Sequence, residues 1–318
     1  MPASERRAII LGCAQYLQPT QTGCGQYLQP TQTGSMRNIK LTLAYDGAEF
    51  HGWQIQPGRP TVQGLIADIL HRLTQEQVTI HAAGRTDAGV HAWGQVANFK
   101  TESHLTPQEL AHGMNALLPP AVRVRAAEEA DQDFHARWCA EAKTYRYSFY
   151  RGRVVPPFLW RYVLHHPHPL DFAAMSEAAR CFEGQHDFTT FAASSGSEED
   201  DLDRNVLRAI YRSEMIAAPA ACLGDGSFPF DAEHALGTDG WTYVVRGKSF
   251  LRHMVRKIVG ALLEVGRGRI QPSDIPWLLE LRDRARSGPT VPAHGLCLFS
   301  VEYPAAPPTL PRKQVGLQ

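Results

Sequence analysis

The sequence predicts an α+β protein of two βαββαβ units, each an antiparallel sheet with two helices on one face, packed around a central cleft. The main observation is the order of the apolar patterns. Strand-like alternation and helix-like spacing follow one another in the same order twice along the chain. With 318 residues, 43% of them hydrophobic, the chain is also long enough to bury a core in each unit.

The first unit opens with a strand in which apolar residues alternate with others from Ile39 to Tyr45. Its second helix has a clear start signal, because Thr106 can act as N-cap, Pro107 suits the first helical position and Glu109 completes a capping box. The predicted elements are a strand from Met36, a helix over 62–73, strands at 78–82 and 93–99, a helix after Thr106 and a strand at 122–127. This order is that of the ferredoxin-like arrangement.

The second unit repeats the order less regularly. Its predicted elements are a strand at 143–150, a helix at 171–182, strands at 206–216 and 241–247, a helix at 250–265 and a strand at 296–303. A further helix near 272–283 and an insertion at 217–240 rich in Ala, Gly and Pro are added to it. We therefore expect a second ferredoxin-like domain, with the cleft between the two sheets.

The expected domain limits follow from these patterns. Residues 13–23 and 24–34 are a tandem duplication rich in Gln, Thr, Gly and Pro, which cannot bury a core. We expect residues 1–35 to be a disordered extension, 36–135 the first domain, 141–303 the second and 304–318 a disordered tail.

Charge is balanced overall, with 32 Lys and Arg against 32 Asp and Glu, so any basic surface must be local. Two stretches can supply one, because residues 141–165 contain five Lys or Arg against one acid and residues 246–269 contain seven against one. An acidic run at 198–203 balances them. The basic stretches could meet a polyanion in the cleft.

Six cysteines occur without Cys-x-x-Cys spacing, so neither a zinc site nor a disulfide framework is indicated. The histidines at 165, 166 and 168 lack a nearby Cys or carboxylate, and we interpret them as part of a surface loop. No metal is expected. No apolar run has the length of a membrane span, and the sequence predicts a cytoplasmic protein.

The segment with the strongest chemical signal is Ala83-Gly84-Arg85-Thr86-Asp87-Ala88-Gly89-Val90-His91-Ala92, between the second and third strands. Its carboxylate lies between two glycines that permit tight turns, two residues after an arginine that can orient it. Taken alone, Asp-Ala-Gly is also typical of a turn with a solvated Asp.

This segment resembles the active-site signature of the tRNA pseudouridine synthase A family, and the similarity continues through most of residues 36–303. Ordered blocks carry it: Tyr45-Asp46-Gly47, Gly52-Trp53-Gln54, Thr61-Val62-Gln63, Phe134-His135-Ala136-Arg137, Lys143-Thr144-Tyr145-Arg146-Tyr147, Gly184-Gln185-His186-Asp187-Phe188, Phe250 to Arg256, Glu264-Val265-Gly266-Arg267-Gly268 and Gly295-Leu296-Cys297-Leu298. One departure is Arg208-Ala209-Ile210, where the family usually has Arg-Thr-Ile.

The resemblance implies roles for individual residues. Asp87 matches the nucleophilic aspartate, Arg85 the arginine that helps rotate the target uridine out of its stack, and Tyr145 the tyrosine packed on the flipped base. Arg256 matches the basic partner of the aspartate. The catalytic set is therefore Asp87, Arg85, Tyr145 and Arg256, and the substrate-binding set is Tyr145, Arg85, Arg252, Lys143, Arg146 and Leu296.

The residues themselves leave other interpretations open. Tyr145 shares one strand face with Tyr147 and Phe149, which is also ordinary sheet packing. Arg252 and Arg256, one helical turn apart at the edge of an apolar stripe, could equally be solvated charges. A carboxylate nucleophile can divide glycosidic cleavage and rejoining into easier steps without a cofactor, and attack on the base or on the sugar remains open.

The resemblance implies an isomerase that converts uridine to pseudouridine in the anticodon stem-loop of tRNA, at nucleotides 38 to 40 of the tRNA. It also implies a homodimer that holds the tRNA across both subunits, with no cofactor and no membrane partner. Two alternatives are a non-catalytic RNA-binding or RNA-folding protein, since ferredoxin-like sheets also recognise RNA, and a pseudouridine synthase acting on another RNA.

Overall fold

The structure is a computed structural model that describes residues 36–193, 205–217 and 239–304. Several expectations fall outside these ranges. They are the disordered extension at 1–35, the acidic run at 198–203, nearly all of the insertion at 217–240 and all but the first residue of the tail at 304–318.

The first half of the described chain contains the elements predicted for it, in the predicted order. They are β1 (Arg37–Tyr45), α1 (Val62–Thr74), β2 (His81–Ala82), β3 (His91–Thr101), α2 (Pro107–Leu117) and β4 (Val122–Ala130). The capping box of α2 is formed, because the Thr106 hydroxyl accepts from the Glu109 N–H and the Glu109 carboxylate accepts from the Thr106 N–H. The strand predicted at 78–82 is shorter, since only His81 and Ala82 pair with β3.

The second half adds two strands that the sequence patterns did not predict, β6 and β7. Its elements are β5 (Ala142–Tyr150), β6 (Leu164–His165), α3 (Phe172–Arg180), β7 (Gly184–Asp187), β8 (Leu207–Ala217), β9 (Gly240–Gly247), α4 (Met254–Gly266), α5 (Asp274–Leu281) and β10 (Leu296–Glu302). Strands of two and four residues are too short for an alternation pattern to be recognised.

The described part of the chain is a mixed α+β structure built on one large, largely antiparallel sheet of ten strands in the order β4-β1-β3-β10-β5-β9-β8-β7, with β2 on β3 and β6 on β5. The expected separation into two sheets is replaced by a parallel pairing in which β10 joins β3 at His91 and Ala92. The short β2 pairs only at Ala97 and Asn98 of β3 and leaves the rest of that edge open. Strand β10 covers the open part, so the two halves share one sheet.

One hydrophobic cluster extends through both halves. It contains Ile39, Leu41 and Leu43 of β1, Tyr147 and Phe149 of β5, and buried residues of every α-helix from α1 to α5. The apolar stripe predicted for α4 is buried as expected: Met254, Val255, Ile258, Val259, Leu262 and Leu263. Within the described residues, no helix is long and apolar enough to cross a membrane.

The start of α4 corrects the prediction of a helix over 250–265. The helix begins at Met254, and His253 before it has a left-handed backbone with φ of 59°. Arg252 therefore precedes the helix instead of lying one turn below Arg256. A left-handed residue cannot continue a right-handed helix, and this is the physical reason for the later start.

Candidate active site

The loop between β2 and β3, residues 83–90, is held largely through its backbone. The Trp53 N–H donates to the Thr86 carbonyl at 3.0 Å, and the Gly89 N–H donates to the Phe50 carbonyl at 3.3 Å. Both partners lie in the segment that follows β1, which contains the first of the ordered sequence blocks. The opening block therefore supports the loop that carries Asp87.

Two glycines of the opening block allow this close approach. Gly52 has φ of +86°, and a β-carbon on it would lie 2.6 Å from the Thr86 carbonyl oxygen. A β-carbon on Gly47 would collide with the carbonyl oxygen of Val90. Because any side chain at either position would push the loop away, both positions require glycine. The left-handed backbone of Gly52 is a second reason for glycine there.

Neutral polar side chains beneath the loop complete its support. The hydroxyl of Tyr45 lies 2.8 Å from the hydroxyl of Thr86, and the Gln95 amide donates to the Gly84 carbonyl at 2.7 Å. Burial raises the pKa of Tyr45 well above its usual value, so its phenol stays protonated and available for hydrogen bonding. The loop therefore rests on a buried hydrogen-bond network without a formal charge.

Asp87 faces two basic side chains from the second half of the chain. Its Oδ2 lies 3.6 Å from Nη1 of Arg256 and 3.6 Å from Nε2 of His253. The Nε of Arg256 donates to the Val291 carbonyl at 2.8 Å, which fixes the guanidinium. The positive charge of Arg256 stabilises the Asp87 carboxylate. Asp87 also keeps 25% of its side-chain surface exposed, so one side of the carboxylate is accessible.

His253 is a site residue that the sequence analysis did not select, although it lies in the quoted block from Phe250 to Arg256. Its left-handed backbone turns the chain into α4 and directs its ring toward Asp87. Burial lowers the pKa of His253, against the opposing effect of the Asp87 charge.

Tyr145 lies on β5 beside the same carboxylate. Its side chain is buried and makes an edge-to-face contact with Phe250, with ring centroids 5.0 Å apart. Burial raises the pKa of Tyr145, and the charge of Asp87 raises it further. Tyr145 thus places a neutral aromatic ring next to the candidate nucleophile, Asp87.

Lys143 and Arg146, both predicted to bind substrate, lie on opposite faces of β5. Lys143 is buried on the side of Tyr145, and a β-carbon on Gly84 would lie 3.8 Å from its Nζ. Burial is the main cause that lowers the pKa of Lys143 to about 8. Arg146 points to the other face, where its guanidinium lies 3.3 Å over the Phe299 ring.

The remaining predicted residues differ in how far their side chains are exposed. Arg85 is exposed on the loop two residues before Asp87, and Arg252 is exposed just before α4. Leu296 is 5% exposed and pairs with Tyr147 at the start of β10. The structure therefore gathers Asp87 with the predicted Tyr145 and Arg256.

His91, the first residue of β3, follows the loop and forms a second set of contacts between the two halves. Its Nε2 lies 3.0 Å from the Arg161 carbonyl and 3.1 Å from the His294 carbonyl, so this nitrogen carries a proton. Its Nδ1 lies 3.1 Å from Oδ1 of Asp46. Burial raises the pKa of Asp46, but interactions with His91 and Tyr162 contribute to a net lowering to about 2.

The chain is similar to known proteins over both parts of this site. A sequence model of the family described as tRNA pseudouridine synthase matches residues 42–138 and 178–304. The two segments make up more than half of the chain. The chain belongs to this family.

Individual tRNA pseudouridine synthases match at high identity. The tRNA pseudouridine synthase A of Solibacter usitatus is 46% identical over 268 residues, which are 84% of this chain and 100% of that protein. That of Moorella thermoacetica is 43% identical over 267 residues, 83% of this chain and 99% of its own length. That of Geobacillus kaustophilus is 42% identical over 270 residues, 84% of this chain and 95% of its own length.

The matched segments of the tRNA pseudouridine synthase family model contain most of the charged cluster. Asp87, His253 and Arg256 fall inside them, whereas Lys143 and Tyr145 lie in the gap between residues 138 and 178. The family match therefore includes Asp87 and its basic partners, and the structure places Tyr145 beside them.

Proposed function

We infer that this protein has tRNA pseudouridine synthase A activity and isomerises uridine to pseudouridine in tRNA. The observation that carries this conclusion is the position of Asp87, an accessible carboxylate 3.6 Å from Arg256 in a chain of this family. The reaction requires a nucleophile that can help to break and remake a glycosidic bond, and a carboxylate can supply it.

The net reaction determines what the side chains must do. The bond from C1′ of the ribose to N1 of uracil breaks, the base rotates, and a bond from C1′ to C5 forms; the C5 proton leaves and N1 gains a proton. We assign Asp87 as the covalent nucleophile, whether it attacks the base or the sugar. Arg256 holds its carboxylate in position. The conversion is an isomerisation, so no external oxidant or reductant is needed.

The uridine must leave its stack to reach Asp87. The exposed side chain of Arg85 can enter the RNA helix and occupy the vacated position, while the buried ring of Tyr145 can pack on the flipped base. Lys143 and Arg252 provide positive charge around the loop for backbone phosphates. Arg146, on the opposite face of the sheet, would contact a different part of the RNA.

We also propose the finer features that the resemblance implied. The target is the anticodon stem-loop, the protein acts as a homodimer, and it works in the cytoplasm without a cofactor. Two ferredoxin-like domains are supported by the strand orders: β4-β1-β3 with β2 in the first half, and β10-β5-β9-β8 in the second, each in the 4-1-3-2 pattern.

The decisive experiment uses tRNA transcripts labelled with tritium at C5 of uridine, because this hydrogen is lost when the new C–C bond is completed. Purified protein should release tritium from tRNA. Asp87→Asn should lower turnover at least about ten-thousandfold, since an amide is a poor nucleophile and no neighbouring group replaces it. Filter binding at fixed salt should show unchanged or slightly tighter tRNA binding.

The outcome separates the alternatives. No release by the wild-type protein on any RNA would favour a non-catalytic RNA-binding protein. Release from ribosomal RNA transcripts but not from tRNA would identify a synthase with another substrate. Mapping the modified nucleotides on tRNA then tests the anticodon stem-loop assignment, and light scattering of the free protein tests the homodimer.

A further inference from the structure

A tryptophan outside the catalytic cluster is unusually exposed. Trp138 lies in the turn that joins the two halves and has 66% of its surface in solvent. The guanidinium of Arg137 lies over its ring, 4.6 Å from the centroid. An exposed indole with a cation on it combines the two features by which proteins bind unpaired bases, an aromatic face and positive charge.

The turn is held in place from inside the protein. The side chain of the almost fully buried Asn98 accepts from the Ala136 N–H at 2.8 Å and donates to the Phe134 carbonyl at 3.2 Å. The equally buried Asn38 donates to the same carbonyl at 2.9 Å. These bonds fix the backbone immediately before Trp138, so little ordering remains to be done when a ligand binds the indole.

Two histidine rings extend the aromatic surface. His135 lies 5.7 Å from Trp138 and 4.5 Å from His81, measured between ring centroids. Its Nδ1 accepts the N–H of Arg137 at 3.1 Å, and burial lowers its pKa, so the ring is neutral at pH 7. Arg137 supplies a permanent positive charge to this group, which we call the Trp138 platform (His81, His135, Arg137 and Trp138).

The Trp138 platform adjoins the loop that carries Asp87. Ala136 belongs to the same small buried cluster as Val96 and Ala83, the first residue of that loop. On the same side, Lys143 lies against Gly84, and the charge of Arg137 is near enough to contribute to its lowered pKa. Glu128 and Glu129 of β4 are paired with Lys40 and Arg37.

We propose that Trp138, with Arg137 on its ring, is a stacking subsite for an unpaired nucleotide of the tRNA near the target uridine. The inference rests on the proposed function for the identity of the RNA. Any base can stack on an indole, so the subsite would hold the RNA without selecting its sequence. It would serve binding, not the chemical step.

The test compares Trp138→Ala and Trp138→Phe with Trp277→Ala, a matched control at a 54% exposed tryptophan on α5. Filter binding with an end-labelled anticodon stem-loop transcript should give a Kd about tenfold higher for Trp138→Ala and about twofold higher for Trp138→Phe. Trp277→Ala should stay within twofold of wild type. In tritium release, KM should rise in parallel while kcat stays nearly constant.

Quenching of tryptophan fluorescence measures RNA binding at the subsite independently of catalysis. Titration with the stem-loop should quench the wild-type and Trp277→Ala proteins, and Trp138→Phe should lose much of that quenching. Equal Kd and equal quenching in all variants would overturn the subsite. So would a lowered Tm with unchanged Kd, or a changed oligomeric state with unchanged RNA binding, which would make Trp138 a structural or subunit contact. If the wild type binds RNA but releases no tritium, only the proposed function fails.

Discussion

The two halves of the chain contribute to the site in different ways. The first half holds the loop of Asp87 by backbone hydrogen bonds and neutral side chains such as Tyr45, Thr86 and Gln95. The second half brings ionisable side chains to that loop, above all Arg256 and His253. Asp87 is thus positioned by the first half, and its charge is stabilised by side chains of the second half, so the two contributions can be removed separately.

Among variants that leave Asp87 in place, removing the charge that the second half brings to it should give the largest effect on turnover. Arg256→Ala should lower kcat about a hundredfold, because the carboxylate loses the guanidinium at 3.6 Å. Arg256→Lys should rescue poorly, since lysine has no planar fork to contact Asp87 and the Val291 carbonyl together. Steady-state tritium release measures this. Arg269→Ala, at an exposed arginine beyond the far end of α4, is the control, and equal losses in both variants would contradict the assignment.

Damage to the framework of the first half should lower both stability and turnover. Gly52→Ala places a β-carbon 2.6 Å from the Thr86 carbonyl and forces a left-handed alanine. We expect about 2 kcal/mol lower free energy of unfolding and about thirtyfold lower kcat as the loop shifts. Gly58→Ala is the matched control, because Gly58 is also left-handed but has open space around it. If both variants lose kcat equally, backbone strain and not the contact with the loop is responsible.

Lys143→Met tests a buried charge that the second half holds next to Gly84. The folded protein binds this proton less tightly than the unfolded chain, so wild-type free energy of unfolding should rise as pH increases from about 8 to 10.5. Methionine should remove that rise and stabilise the protein at pH 7 by on the order of 3 kcal/mol. Thermal unfolding from pH 7 to 10.5 measures both.

The same variant should bind tRNA about fivefold more weakly, because one positive charge near the phosphates is lost. Lys100→Met, at an exposed lysine of β3, controls for charge removal in general. A lower Tm for Lys143→Met at pH 7 would show that the lysine is satisfied in the folded protein and would contradict the prediction.

The smallest effect is expected when Tyr145 loses only its hydroxyl. Tyr145→Phe keeps the ring and its contact with Phe250, so kcat should fall less than about threefold. Tyr145→Leu removes the aromatic face and should cost about tenfold in kcat/KM. Stopped-flow measurement of base flipping with a 2-aminopurine-labelled stem-loop would follow the stacking step. Wild-type activity in Tyr145→Leu would remove Tyr145 from the site.

Much of the fold was predictable because its signals are local. The alternation from Ile39 to Tyr45, the spacing along 62–73 and the capping box at Thr106 each depend on residues within a few positions of one another, and all three elements form as predicted. The sheet face of Arg146 could also be predicted from the sequence, since a residue next to Tyr145 on a strand must point to the other face.

By itself the sequence determined the order of the elements, the glycine-flanked loop of Asp87 and, through its blocks, the family. The tertiary structure decided what meets across long distances in the chain. It joined β10 to β3, brought Arg256 and His253 to Asp87, and fixed the backbone before Trp138 through Asn38 and Asn98. The physical reason is that such contacts depend on which strand edge is left open and how elements pack, whereas local patterns specify only the elements themselves.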